Sequence, residues 1–298
     1  MIPLNHSFKG RLLQHEPLAK YTSWRVGGEA ERLYIPVDKH DLQLFLASLA
    51  DDEPVFWLGL GSNVLIRDGG IKGTVINTKG KVKQMHLLDD GRVYIECGVP
   101  CAHVARFCSE HGLSGAEFLA GIPGTMGGAL KMNAGAFGAE TWNLVESVEM
   151  MSQGGTISSR CANEFEVSYR AVKGGAGACF LSTILKLSAD IDLAGQDKIK
   201  KLLAQRAATQ PTNLPTCGSV FKNPEHDFAA RLIESSGLKS YAIGGAVVSE
   251  KHANFIVNTG KATALDIEQL INHVQSEVLR KQGIELQTEV CIIGEPLA

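Results

Sequence analysis

The reading of this chain turns on Gly121-Ile122-Pro123-Gly124-Thr125-Met126-Gly127-Gly128-Ala129-Leu130-Lys131-Met132-Asn133-Ala134-Gly135-Ala136-Phe137-Gly138. Six of these eighteen residues are glycine, which leaves many backbone N–H groups uncovered by side chains. Such a loop can wrap a pyrophosphate, above all where it feeds a helix N-terminus. No Gly-Lys-Ser or Gly-Lys-Thr closes it, so it is not a Walker A loop, and it does not carry the Rossmann fingerprint. The plainer alternative is a structural glycine-rich turn.

A second stretch, Leu58-Gly59-Leu60-Gly61-Ser62-Asn63-Val64-Leu65-Ile66, reads as a strand, a tight turn and another strand. Gly59 and Gly61 free the backbone there, and Gly61, Ser62 and Asn63 could donate to phosphate oxygens through main chain and side chain. One such turn is weak evidence. Two in the same half of a chain point to nucleotide binding.

The remaining composition narrows the class. At 298 residues the chain suits one large or two medium domains of roughly 100–200 residues each. That is enough for a core that needs no disulfide or metal staple. The formal charge of −3 is spread without long blocks, which argues against a dedicated nucleic-acid binder. The lysines between Lys79 and Lys83 read as a solvated hairpin. No run approaches the roughly 18 apolar residues of a membrane span, and Met1-Ile2-Pro3-Leu4-Asn5-His6 lacks the regions of a signal peptide. The expectation is a cytoplasmic protein without a membrane partner. Seven scattered cysteines fit reduced thiols there. Cys97, Cys101 and Cys108 lie near His103 and His111 but form no CxxC pair, so packing is expected rather than metal binding.

The chain alternates helix and strand without internal repeats. Residues 33–37 and 55–58 read as strands around a helix beginning near Asp38. Val93 to Cys97 is another strand, followed by a helix with Pro100 near its first turn and Gly112 just past its end. Strands are expected near 144–150, 155–158 and 180–187, and a helix over 198–208. Gln210-Pro211-Thr212-Asn213-Leu214-Pro215 breaks the chain, which places a domain boundary at 205/206. Asp227 reads as the cap of a helix carrying Phe228, Leu232 and Ile233 inward and stopping at Gly237. Thr263 and Asp266 have capping-box spacing before an apolar stripe of Ile267, Leu270, Ile271, Val274 and Val278, ended by Gly283. Ile284 to Ile293 alternates as one strand with Glu289 on its polar face.

These stretches are similar to those of the UDP-N-acetylenolpyruvoylglucosamine reductases. Gly59 to Asn63 and the loop from Gly121 to Gly138 resemble that family's two phosphate-binding segments. Tyr21-Thr22-Ser23-Trp24-Arg25-Val26-Gly27-Gly28 and Ser168-Tyr169-Arg170 resemble others. Gly218-Ser219-Val220-Phe221-Lys222-Asn223-Pro224 and Lys251-His252-Ala253-Asn254-Phe255-Ile256-Val257-Asn258 are the specific part. The likeness runs in order from about Tyr21 to Gly294. The spacing of 40 residues from Arg170 to Gln210 resembles the shorter branch of the family, without the tyrosine-bearing loop.

The resemblance implies an α+β fold: a two-lobed vanillyl-alcohol-oxidase-type FAD-binding domain over residues 1–205, its lobes divided near 55–60. A smaller α/β substrate-binding domain follows over 206–298, its last strand returning to the active site. It implies FAD and NADPH as cofactors, and the enolpyruvyl sugar nucleotide as a small-molecule substrate. No metal, nucleic acid or obligate protein partner is expected. Arg170, Ser219 and Glu289 become the catalytic set. Gly59, Gly61, Ser62, Asn63, Gly121, Ile122, Pro123, Gly124, Thr125, Gly127, Gly128, Asn133, Ala134 and Gly135 become cofactor contacts. Tyr169, Lys222, Asn223 and His252 become candidate substrate contacts, although a structural turn histidine suits His252 equally. Three positions depart from the family's pattern: Thr209 where a phosphate-contacting lysine is common, Leu60 for a glycine, and Cys217 for an alanine. Rival readings are another FAD-linked oxidoreductase acting on an alcohol or hydroxy acid, and a non-catalytic nucleotide-binding module.

Overall fold

The computed structural model describes residues 8–175 and 177–297; the N-terminal segment read above for a signal peptide, Met1 to His6, lies outside them. The chain begins with β1 (Arg11–Pro17), β2 (Glu29–Ile35) and α1 (Lys39–Ala47). Then come β3 (Val55–Leu58), β4 (Val64–Ile66), β5 (Ile71–Asn77), β6 (Met85–Leu87), β7 (Arg92–Glu96) and α2 (Cys101–Glu110). The glycine stretch and its flanks hold β8 (Leu113–Ser114), α3 (Met126–Met132), β9 (Gly135–Ala136) and β10 (Ala139–Glu140). These lead to β11 (Val145–Ser152), β12 (Ile157–Cys161), β13 (Glu166–Ser168), β14 (Ala171–Lys173), β15 (Ala178–Lys186) and β16 (Ser188–Ala189). The rest carries α4 (Gly195–Thr209), α5 (Ala229–Ser235), β17 (Ala242–Ile243), β18 (Ala246–Val248), β19 (Ile256–Asn258), α6 (Ala264–Gln282) and β20 (Cys291–Ile293).

These elements form two units, and neither is a single run of sequence. The first holds residues 8–13, 32–60 and 73–204; the second holds 14–31, 61–72 and 205–297. Two early segments, 14–31 and 61–72, belong to the second unit together with 205–297. The physical reason is pairing. β4 lies parallel to β20, with Val64, Leu65 and Ile66 opposite Cys291, Ile292 and Ile293. Trp24, fully buried, donates its indole N–H to the Ile256 carbonyl at 2.7 Å.

A four-stranded sheet runs β1-β2-β5-β3, and within the first unit a five-stranded sheet runs β12-β11-β15-β7-β6. One core gathers Val93, Ile95, Val104, Leu119, Leu130 and Leu185 between the larger sheet and α2 and α3. Another gathers Tyr34, Leu42, Phe45, Leu46 and Ile76 around α1. Asp38 caps α1 by accepting from Asp41 N–H at 2.8 Å, as an aspartate at that position should. Asp41 itself is 4% exposed, and its carboxylate accepts from the Tyr34 hydroxyl and the N–H groups of Lys9, Gly10 and Val37.

In the second unit the stripe Ile267, Leu270, Ile271, Val274 and Val278 is buried along α6. Thr263 and Asp266 form the capping box, and Gly283 closes the helix at φ 70°. Asp68 adds a second cap, accepting from Ala264 N–H at 3.0 Å and Leu265 N–H at 2.9 Å.

Three expectations are corrected. The strand expected over Ile284 to Ile293 is ordered as a strand only at β20. Before it, Thr288 makes an isolated bridge to Phe221, and the facing segment is too short to extend a ladder. Phe228 is 66% exposed, not inward. The helix starts one residue later, so Ala229, Leu232 and Ile233 form the buried i, i+3, i+4 stripe. Among the backbone N–H groups at this helix start Asp227 accepts from the adjacent Phe228, its carboxylate also pairing with the Arg231 guanidinium, while Asn223 Oδ1 takes the Ala229 N–H at 3.1 Å. The lysines at 79–83 lie in a turn that joins different sheets, since β5 and β6 do not pair; Val82 anchors it, fully buried.

Candidate active site

The two glycine stretches meet in the first unit. A Cβ on Gly59 would lie 2.5 Å from Thr125 Oγ1, so Gly59 must be glycine for the strand end of β3 to reach the start of α3. Thr125 is extended, 2% exposed, and opens that helix. The loop is held by main-chain bonds: Met126 N–H to Val99 O and Gly127 N–H to Cys97 O, both 2.9 Å, and Ile122 N–H to Leu119 O at 3.0 Å. Gly124 takes part by accepting from Cys101 N–H at 2.9 Å. Gly127 packs against the Cys97 Cβ, 2.9 Å from where its own Cβ would be. Gly128 differs: there the nearest atom to an added Cβ is Thr125 Oγ1 at 3.9 Å. An open glycine face at a helix start, beside the turn after β3, fits a pyrophosphate.

The later part of the stretch is tied internally. Asn133 is 1% exposed in left-handed backbone at φ 45°. Its Nδ2 donates to Glu140 Oε2 at 2.8 Å and to Ser168 O at 3.2 Å, and its Oδ1 accepts from Trp142 N–H. Ala134 O accepts from Thr141 through main chain and side chain. Asn133 and Ala134 therefore shape the loop from within.

Arg170 belongs to the same neighbourhood. It turns the β13–β14 hairpin at φ 55°. Its guanidinium donates to Gly135 O at 2.9 Å and Asn133 O at 3.3 Å. Glycine at 135 is demanded first by the Ala139 carbonyl, 2.5 Å from where a Cβ would be, with Arg170 Nη1 at 3.1 Å. The Arg170 Cζ also lies 5.0 Å from the ring centre of Tyr169, itself 45% exposed.

An open cleft of about 460 Å³ lies in the first unit, lined by Val55, Trp57, Lys131, Lys173, Gly174 and Gly175 among others. Sequence reasoning missed it. Trp57 immediately precedes the Leu58–Gly59 strand end, and its 37% exposure on a strand otherwise read as apolar core is invisible to a periodicity argument.

In the second unit Ser219 and Glu289 are brought together. Glu289 N–H donates to Val220 O at 2.8 Å, and Lys222 N–H donates to Gln287 O at 2.9 Å. The Ser219 segment therefore runs beside the segment that carries Glu289. Both side chains are half-buried. Gly218 precedes Ser219 at φ 76°, a left-handed turn with open space around it. Asn254, 3% exposed, fixes the segment and was missed as well, because nothing in sequence separates a buried asparagine clamp from a polar turn residue.

The other expected contacts are mixed. Gly61 sits at φ 62° with no room for a Cβ, 2.1 Å from Tyr21 O, so the turn's own packing already demands glycine. Ser62 is half-buried. Asn63 Nδ2 donates to Glu289 O at 3.0 Å. Asn223 is exposed and spends its Oδ1 on α5. His252 packs edge-on against Phe255 at 4.7 Å. Its Nδ1 is buried without a hydrogen-bond partner among the described atoms, and burial pushes the imidazole below its ordinary pKa. Thr209 Oγ1 donates back to Gln205 O at 3.0 Å. Cys217 is buried, its thiol 3.5 Å from Val64 O.

Burial pushes the thiols of Cys97, Cys101 and Cys108 up to about 12, which makes them packing groups. Among the described residues no group of three His, Cys, Asp or Glu could hold a metal ion, and no helix is long and apolar enough to cross a membrane.

Residues 30–159 match the FAD binding domain model, which puts the chain among the FAD-binding proteins. Residues 210–293 match the model of the UDP-N-acetylenolpyruvoylglucosamine reductase C-terminal domain. The UDP-N-acetylenolpyruvoylglucosamine reductase of Methylococcus capsulatus is 58% identical over 97% of this chain and 95% of its own. That of Coxiella burnetii is 50% identical over 96% of each chain. The crystal structure of the Thermus caldophilus enzyme superposes with a TM-score of 0.81 at 31% identity, covering 95% of this chain and 98% of that one. The chain belongs to the UDP-N-acetylenolpyruvoylglucosamine reductase family. It is an FAD-dependent enzyme of peptidoglycan precursor synthesis that reduces UDP-N-acetylenolpyruvoylglucosamine, with NADPH as reductant.

Proposed function

We propose that Arg170, Ser219 and Glu289 carry the reduction, with Ser219 as the proton donor. The observation that supports this reading is the main-chain bond from Glu289 N–H to Val220 O at 2.8 Å, by which the segment carrying Ser219 runs beside the segment carrying Glu289. FAD, when bound and reduced by NADPH, would supply the hydride to the terminal carbon of the enolpyruvyl group. Negative charge then builds on the adjacent carbon and the conjugated carboxylate. A guanidinium is always charged and stabilises that charge as it forms, the differential binding that accelerates a reaction. Arg170 is assigned this role, its planar group already oriented by two carbonyls.

Ser219 delivers one proton to the carbanion-like carbon. A hydroxyl is a weak acid, but the acceptor is far more basic and proximity supplies much of the advantage. Glu289, in its protonated form, hydrogen-bonds the enolate or orients the substrate. Tyr169, Lys222, Asn223 and His252 are the candidate substrate contacts. The first unit is read as the FAD-binding part. Gly59, Thr125 and Gly128 hold the pyrophosphate, and the Trp57 cleft takes the adenosine end, its size being usual for a cofactor site. Residues 206–298 are read as the substrate-binding part. A nucleotide-sugar substrate and free thiols favour the cytoplasm.

The test is an anaerobic absorbance trace. NADPH bleaches the flavin, and the yellow colour returns when UDP-N-acetylenolpyruvoylglucosamine is added. Reduced flavin that ignores this substrate would remove the assignment of the site.

A further inference from the structure

Asn63 and the Glu289 strand are joined twice. Asn63 Nδ2 donates to the Glu289 carbonyl at 3.0 Å, and Cys291 N–H donates to the Asn63 carbonyl at 3.1 Å. Both bonds lie where the parallel pairing of β4 and β20 begins, with Val64 opposite Cys291. Just before this point the chain bends through Ser62 and Gly61, so the main chain leaves the line of β4. A side-chain amide here takes the place of the main-chain donor that a continuing parallel ladder would offer.

The Glu289 N–H donates in turn to Val220 O at 2.8 Å, the residue after Ser219. Residue 289 is thus held at both of its main-chain polar groups. The Ser219 segment grips the N–H, and the Gly61–Asn63 turn grips the carbonyl. That turn is itself firm. Ser23 N–H donates to Gly61 O at 2.9 Å, and the Cys217 thiol lies 3.9 Å from the same oxygen. A displacement at Asn63 therefore passes to the backbone that carries the Glu289 side chain.

We propose that Asn63 is a positioning residue for Glu289, so that the turn expected to serve the flavin phosphates also sets the geometry of the protonation site. This rests on the reading of Glu289 as a catalytic residue. Asparagine suits the position because its amide carries a donor and reaches past its own backbone. Serine is too short and aspartate carries no donor when ionised.

The test uses the full chain loaded with FAD, with each half-reaction followed separately by stopped-flow absorbance. In Asn63→Ala, reoxidation by the enolpyruvyl nucleotide should slow ten- to a hundredfold more than reduction by NADPH, the order expected for a misplacement of about 1 Å. Asn63→Ser should show the same bias, which keeps the test usable if the alanine variant loses flavin. In a Glu289→Ala background, Asn63→Ala should slow reoxidation by less than about twofold more, because the group it positions is gone. Equal slowing of both half-reactions, or a full additional loss in the Glu289→Ala background, would overturn the proposal in favour of a flavin contact alone. A wild-type flavin that NADPH bleaches and the enolpyruvyl nucleotide never restores is a different result: it removes the proposed site itself.

Discussion

Asn254 grips Phe221 at both main-chain atoms, its Oδ1 accepting the Phe221 N–H at 2.9 Å and its Nδ2 donating to the Phe221 carbonyl at 2.8 Å. The Asn254 carbonyl also accepts from Val220 N–H at 2.9 Å. Phe221 is 2% exposed, so neither of its polar groups has ready access to water. Asn254→Ala leaves a buried donor and a buried acceptor without this partner, each worth about 1–3 kcal/mol. We expect a loss of about 3 kcal/mol in urea unfolding. Turnover should fall too, because Ser219 lies two residues upstream of the released segment, while bound FAD should be retained. Unchanged stability would mean that the segment is held by its bonds to Gln287 and Glu289 alone.

Ser219→Ala separates the two half-reactions. Bleaching of the flavin by NADPH should remain fast. Reoxidation by the enolpyruvyl nucleotide should slow by about 10²–10⁴-fold, the usual contribution of a proton-transfer group. Stopped-flow traces at 450 nm, roughly the flavin band, would show this directly. A variant that reoxidises at the wild-type rate removes Ser219 from the donor role and leaves Arg170 and Glu289 to be tested alone.

Much of this was legible in the residues, but unevenly. Helix ends followed capping chemistry: Asp38, Thr263, Asp266 and Gly283 sit where local hydrogen bonding demands them. Those signals are local, so sequence carries them. The failure at Phe228 is instructive because Asp227 is a good cap in isolation, yet Asn223, six residues before Ala229, provides the bond. The Ile284–Ile293 alternation did mark Leu286 and Val290 as buried. It could not show that only residues 291–293 find a ladder partner, since pairing depends on β4, more than two hundred residues earlier. The same distance hides the Asn63–Glu289 bond. Glycines told a mixed story: Gly128 keeps an open face suited to a ligand, whereas Gly59, Gly61 and Gly127 are demanded by packing.

Gly59→Ala tests the junction of the two glycine stretches. The new methyl would lie 2.5 Å from Thr125 Oγ1 and 3.3 Å from Thr125 Cγ2, so β3 or the start of α3 must move. Overpacking of this kind costs about 1–3 kcal/mol, and the movement falls on the proposed phosphate loop. FAD affinity, read by flavin fluorescence on dilution, should drop about tenfold or more. Thr125→Gly removes both clashing atoms, so in that background Gly59→Ala should cost much less further affinity than it does in the wild type. If it costs as much in both backgrounds, the defect arises elsewhere than at this contact.

Asp41 gives a pH prediction whose direction follows from its partners. Burial alone would raise its carboxyl pKa. The Tyr34 hydroxyl and the N–H groups of Val37, Lys9 and Gly10 outweigh that, and hold it below the ordinary carboxylate value. Tyr34 is pushed up, by burial first and by Asp41 next, and so remains a donor. In the unfolded chain the carboxyl titrates near about 3.9. A group whose folded pKa is the lower one contributes its stabilisation fully above the unfolded value and loses it as pH falls through the folded value. Wild-type stability should therefore decline on acidification below about pH 4. Asp41→Asn should be weaker by about 2–3 kcal/mol at pH 7, where hydrogen bonds to a charged acceptor are lost, with the gap closing toward pH 2. Urea titrations of both proteins from pH 7 to roughly pH 2 measure this convergence. Parallel curves across that range would assign the acid sensitivity of the α1 region to a group other than Asp41.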